Sequence, residues 1–197
     1  RQSPVAGYIT VAAVGGSFVL SLWALGAVVG DYAGPMPAHD WVTAGSVKIG
    51  FGILLDPLTA IMLVVVSGVS LLVQFYSQAY MRDHHGSRDG SYTRYYAYMS
   101  LFTASMLGLV MSRSIVQLFV FWELVGVSSY LLIGFWMERP AAAAAAKKAF
   151  IMTRFADFGF LLAVLYLFSQ DPGWLDIPSF YDAIAGEYER LDGRRSA

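Results

Sequence analysis

Charged residues cut this sequence into long apolar runs. None occurs from Gln2 to Gly30, from Pro57 to Met81 or from Tyr95 to Ser112. Between Ser114 and Met137 the only charge is Glu123, and between Ala149 and Gln170 the only charges are Arg154 and Asp157. Each run reaches the ~20 residues a helix needs to cross the hydrocarbon core of a bilayer. Lipid offers backbone groups no partners, so such runs cross as helices, which pair their amides internally. The pattern predicts five spans, at about 6–30, 58–81, 94–113, 115–137 and 146–169. The first is too long for the core of a signal peptide and no clear cleavage site follows, so it reads as a span.

The segments between the runs carry local signals of their own. Asp40 to Leu55 reads as two short strands around Ala44-Gly45-Ser46, with the glycine a hairpin wants. Asp56 and Pro57 suit the N-cap and first turn of the second span. Pro172-Gly173 breaks the fifth span, and Ile177, Phe180, Tyr181 and Ile184 then recur at the spacing of a short amphipathic helix along the membrane surface. The run Ala141–Ala146 is good helix-forming sequence. Lysine and arginine set the orientation. Arg82, Arg88, Arg94, Arg139, Lys147 and Lys148 lie on one side, against Lys48 and Arg113 on the other. The Arg82–Arg94 and Arg139–Lys148 loops are therefore expected in the cytoplasm, and the Asp31–Asp56 hairpin outside. The expected fold is an all-α polytopic membrane protein of about five transmembrane helices with a short extracytoplasmic β-hairpin. Its organisation is a bundle over residues 1–170 and an extracytoplasmic tail over 171–197.

Composition agrees with that reading and removes alternatives. Hydrophobic residues are 57% and charged residues 14% of the 197, with a mean hydropathy of +0.55. A soluble domain carries about 25% charge and could not hide so much apolar surface at this size. The net charge of −1 gives no basic excess for nucleic acid. With no cysteine, disulfides, thiolate metal sites and cysteine nucleophiles are excluded. His84 and His85 lack ligand spacing, so no metal and no cofactor is expected in this chain. Tyr92, Tyr95, Tyr96 and Tyr98 read as an interfacial belt, and Ser67-Gly68-Val69-Ser70 as small-residue helix packing.

The charges inside the spans carry the functional signal. An ionised side chain at mid-bilayer costs about 2.5–3.5 kcal/mol on insertion scales, so such groups face a bundle interior and serve a purpose. Glu123 lies near the middle of the fourth span, with Phe119, Gly126, Val127 and Tyr130 on its face. Burial disfavours the charged form of a carboxyl, which makes it a proton carrier unless a cation holds it ionised. A structural hydrogen bond between helices is the plainer alternative. In the fifth span Arg154 and Asp157 are three residues apart and can pair within the helix, as working charges or as inert packing. Lys147 shares a side with Arg154 and can snorkel to water, whereas Lys148 points away from Asp157.

The segment Phe121-Trp-Glu-Leu-Val-Gly-Val-Ser-Ser-Tyr-Leu-Leu-Ile-Gly-Phe-Trp resembles the hallmark of the antiporter-like subunits of respiratory complex I, the subunit L branch most of all. Asp56-Pro-Leu-Thr, Phe75-Tyr-Ser-Gln-Ala-Tyr-Met, Tyr92–Met106, Lys148-Ala-Phe and Thr153-Arg-Phe-Ala-Asp extend the likeness over roughly residues 40–170. The large subunit of Mrp-type sodium/proton antiporters is similar more loosely. The resemblance implies a proton-translocating subunit driven at a distance by quinone reduction, with other membrane subunits as partners and with the NADH and quinone sites on those subunits. It also implies a bacterial inner membrane. It assigns proton transfer to Glu123, Lys148, Arg154 and Asp157, and no catalytic or metal-binding residue. Ala156 stands where the family has glycine and is expected to tighten the packing around Asp157. The lysine that pairs with the family's glutamate lies on a later helix beyond Ala197, so the chain is expected to be a fragment of a longer subunit. Two rival classes stay open: an ion-coupled transporter of the same superfamily, and a structural helical subunit without transport.

Overall fold

The computed structural model describes residues 5–30, 34–35, 39–44, 47–83 and 91–195. Arg1, the Gly45-Ser46 turn, and the loop of His84, His85 and Arg88 lie outside the described residues. Five long helices stand where the apolar runs placed them: α1 (Val5–Val29), α2 (Pro57–Asp83), α3 (Ser91–Val110), α4 (Ile115–Ile133) and α5 (Pro140–Gln170). Four of them (α1, α2, α4 and α5) are long and apolar enough to cross a membrane by length and composition. In α3 the first turns carry Tyr92, Arg94, Tyr95, Tyr96 and Tyr98, which dilute its apolar character. It nevertheless runs back alongside α2 and forward against α4, as short connections between antiparallel neighbours require.

The ends of the helices follow from local chemistry. The Asp56 carboxylate accepts a hydrogen bond from the Thr59 amide at 2.6 Å, capping α2, with Pro57 in the first turn. Ser114 caps α4 by accepting from the Gln117 amide at 3.1 Å. Gly134 ends α4 four residues before the expected boundary, its amide donating to the Tyr130 carbonyl. Pro140 opens α5 six residues earlier than expected, because the alanine run is itself helical.

Bundle packing inverts that of a soluble protein. Ser67, Gln74, Ser105 and Ser128 are among the most buried side chains, while Trp23, Leu72 and Phe155 face outward, the last 84% exposed. Between helices in lipid, small residues let backbones approach and hydroxyls bond across. Ser67 meets Ser21 of α1 at 3.2 Å, and Thr103 of α3 meets Ser70 of α2 at 3.2 Å. The tyrosines of α3 correct the expected interfacial belt. Tyr96 is wholly buried, its hydroxyl 3.1 Å from Ser77, and Tyr95 and Tyr98 pack edge-on to Phe135. Tyr96 ties α3 to α2 because a ring with a polar tip can satisfy its hydroxyl inside the bundle.

One end of the bundle is clamped. Strands β2 (His39–Ala44) and β3 (Val47–Phe51) pair antiparallel, with Ala44 opposite Val47, as the hairpin pattern predicted. A second small pairing joins β1 (Gly34–Pro35) to β4 (Leu54–Leu55). The turn Ser112-Arg113-Ser114 between α3 and α4 is gripped from both sides. The Leu54 amide donates to the Met111 carbonyl, and Gly52 donates to the Gln117 side chain at 3.1 Å. From the other side, the Ile177 amide donates to the Arg113 carbonyl, and Arg113 Nε to Asp176 at 3.0 Å. Asp176 precedes the final helix α6 (Ile177–Arg195), in which residues 181–186 are all exposed. The hairpin and the tail thus fix where α4 starts.

The α3–α4 packing is tight at Gly108, where any Cβ would overlap the Phe121 ring. Gly108→Leu should destabilise the full-length protein by about 1–3 kcal/mol, whereas Gly159→Ala, with open space around it, should be neutral. Thermal unfolding in lipid–detergent micelles checks this. Equal midpoints for the two variants would contradict the packing described.

Candidate functional site

The three intramembrane charges converge between α4 and α5. The helices are antiparallel, and Phe119 and Trp122 of α4 rest edge-on against Phe160 of α5. At the other end Tyr130 packs on Phe150, and Gly134 admits Ala146. This seam brings residues 123 and 154 opposite each other.

Arg154 is the hub. Its Nη1 bonds the Glu123 carboxylate, and its Nη2 lies 3.5 Å from the Glu123 carbonyl oxygen. Its guanidinium also stands over the Phe150 ring at 4.8 Å, a cation–π contact. Gly126, one turn beyond Glu123, leaves room for the guanidinium, whose Nη2 would be 3.6 Å from a Cβ placed there. Asp157, one turn along α5, is only 7% exposed. Its Oδ2 is 3.8 Å from Arg154 Nη1, within ion-pair range but beyond a hydrogen bond. Its Oδ1 instead accepts from the indole Nε1 of Trp122 at 2.8 Å. Glu123 faces α5 with its side chain 23% exposed, and that of Arg154 is 31% exposed.

Two carboxylates and one guanidinium carry a net charge of −1 when all are ionised. One proton, or one further cation, makes the cluster neutral.

Of the four residues expected to transfer protons, the structure brings together Glu123, Arg154 and Asp157. Lys148 is not among them. It stands exposed on the opposite side of α5 from Asp157, near the start of the helix. Lys147 is exposed too. Ala156 faces outward and leaves the packing around Asp157 untouched, against expectation, because it lies off the α4 seam. Sequence reasoning missed Trp122. The signal was available: a half-buried indole N–H inside a membrane span needs an acceptor, and the only nearby ionic acceptors are those already singled out. Among the described residues no group of three or more histidine or carboxylate side chains could hold a metal ion.

Removing the hub should expose its cost. Arg154→Met leaves two carboxylates without a cation and should destabilise the full-length protein by about 3 kcal/mol, the penalty for an unpaired charge at membrane depth. The triple variant Glu123→Gln/Arg154→Met/Asp157→Asn, with no charge left, should recover most of that loss. Denaturant unfolding in micelles compares the two. Equal loss in both variants would mean that the charges do not compensate one another.

Comparisons with known proteins converge on the same helices. Residues 41–96 match the family model of the N-terminus of chain 5 of NADH-ubiquinone oxidoreductase (complex I). Residues 112–191 match the transmembrane model shared by NADH:quinone oxidoreductase and Mrp antiporters. The chain is 54% identical over 126 residues to the chloroplastic NAD(P)H-quinone oxidoreductase subunit 5 of Anthoceros angustus, covering 64% of this chain and 16% of that protein. With chain 5 from Synechocystis sp. it shares 46% identity over 158 residues, 80% of this chain and 22% of the other. The chain thus spans about one fifth of the length of these relatives. Among solved structures, the Mrp complex from Dietzia sp. DQ12-45-1b contains a chain with a TM-score of 0.64 and 29% identity, covering 83% of this chain and 16% of that one. An archaeal membrane-bound sulfane sulfur reductase shares the fold, with a TM-score of 0.66, 20% identity, and coverage of 85% of this chain and 32% of that one.

Proposed function

We propose that this chain, which is similar to the antiporter-like membrane subunits of the NADH:quinone oxidoreductase and Mrp family, is part of a proton-translocating subunit of an NAD(P)H–quinone oxidoreductase. The observation that carries the reading is Arg154 shared between Glu123 and Asp157 inside membrane-spanning helices. With Arg154 on Glu123, that carboxylate stays ionised. When a charge change elsewhere in the complex draws the guanidinium toward Asp157, Glu123 loses its cation in a low-dielectric seam and takes a proton. Return of the guanidinium expels it. Quinone reduction on other subunits supplies the driving charge movement, and the NADH and quinone sites lie on those partners. This chain holds no cofactor of its own in the proposal.

We assign the protein to the bacterial inner membrane, with the Arg82–Arg94 and Arg139–Lys148 loops cytoplasmic on the strength of their excess of basic residues. The hairpin and tail, at one end of the bundle, are then extracytoplasmic. Lys148 keeps a proton-transfer role in the proposal by family likeness alone, serving the side of α5 opposite Asp157. A second reading, an Mrp-type cation/proton antiporter, is favoured by the shared family model and the Dietzia likeness. The nearer similarity to subunit 5 of quinone oxidoreductases, at 46–54% identity, supports the first.

The test is proton translocation in sealed vesicles carrying the assembled complex. Glu123→Gln and Asp157→Asn should each lower it roughly tenfold or more, as loss of a proton-transfer group does. Lys148→Met should lower it if that lysine also moves protons, and quinone reduction should fall in parallel where coupling is tight. Full pumping with Glu123→Gln would make the carboxylate structural. Dependence of proton movement on sodium, with none on quinone, would favour the antiporter.

A further inference from the structure

Arg154 makes a choice that simple helix geometry does not explain. Asp157 is its i, i+3 neighbour on α5, and pairs at that spacing form readily. The guanidinium nonetheless bonds Glu123 on the other helix and stops 3.8 Å short of Asp157. The difference lies in what already holds Asp157. Its Oδ1 is taken by the Trp122 indole at 2.8 Å, the shortest of its polar contacts, and that carboxylate is nearly inaccessible.

We infer that Trp122 is the positioning residue of this site: its N–H anchors Asp157 to α4, and so sets how Arg154 divides between Glu123 and Asp157. The inference rests on the proton-translocation reading and names a control on it. An indole N–H donates and cannot accept, so it binds the ionised carboxylate without offering or taking a proton. It therefore occupies one Asp157 oxygen in place of a cation, while the guanidinium of Arg154 bonds Glu123. Trp122 also fits a directional role. Its ring is half exposed, with one edge against Phe160 at 6.0 Å, so the polar tip alone reaches into the seam. The residue precedes Glu123 in sequence, so one turn of α4 presents the donor for Asp157 and the carboxylate for Arg154 together. A motion that separates α4 from α5 at this point would break the 2.8 Å bond and return Asp157 to competition for the guanidinium.

The experiment uses the full-length subunit in its assembled complex, in sealed vesicles. Trp122→Phe keeps an aromatic ring at the position facing Phe160 and deletes the donor together with part of the indole's volume. Loss of a hydrogen bond to a charged group shifts the division of Arg154 by roughly tenfold, and proton translocation should fall several-fold with assembly intact. Trp122→His retains a ring N–H and should restore most of the loss, which a purely space-filling role would not show. A second measurement does not depend on either variant assembling. Ultraviolet resonance Raman spectra of the wild type minus Asp157→Ala should reveal one indole whose N–H bond is lost. Normal pumping in Trp122→Phe, or no indole change in the difference spectrum, overturns the inference. If Glu123→Gln and Asp157→Asn pump fully, the proposed function fails instead, while the Raman difference still reports on the bond itself. Damaged Glu123→Gln beside an unaffected Trp122→Phe removes only the role of the indole.

Discussion

The bond from Arg154 to Glu123 across the α4–α5 seam is the interaction on which the rest of the site depends. It places a cation where the bilayer would otherwise reject two carboxylates. The seam exists to make that bond possible. Phe119 and Trp122 against Phe160 hold one half, and Tyr130 on Phe150 with Gly134 under Ala146 hold the other. Between them the helices stand at a spacing that an arginine can bridge.

The register of that seam is set at the end of the bundle. Ser114 caps α4, and the turn before it is held by backbone bonds from the strand connector and from the start of α6. Arg113 and Asp176 add a charged tie at the same place. Such bonds lie at membrane ends, where irregular backbone can find partners, and they let the mid-membrane part stay regular helix. A displacement of the hairpin or tail would act through α4 on the angle at which Glu123 and Trp122 meet α5.

Much of this was legible in the sequence, for a physical reason. A bilayer imposes length and apolarity on each span, so the five helices follow from where charges are absent, within a few residues at most ends. The hairpin followed from alternation around a glycine, and the Asp56 cap from a carboxylate just before proline. Intramembrane charge is rare enough that Glu123, Arg154 and Asp157 stood out without any structure. What sequence could not give was pairing across helices. Spacing offered Asp157 as the partner of Arg154, since i, i+3 is a property of one helix, and only the packing of α4 on α5 shows Glu123 taking that place. The tyrosines of α3 misled for a related reason. Their polar tips suit a membrane interface, yet Ser77 on α2 supplies a partner inside the bundle. Lys148 was chosen by likeness to a family pattern and stands exposed, apart from the cluster.

In the proposed function, the cluster of two carboxylates and one guanidinium carries a single exchangeable proton during turnover. Infrared difference spectroscopy of the assembled complex, between resting and turning-over states, reads this directly. A protonated-carboxyl band should appear or vanish with turnover, shift on isotope labelling of glutamate, and be absent in Glu123→Gln. A spectrum in which Glu123 keeps one protonation state throughout, with full proton translocation, would contradict the claim.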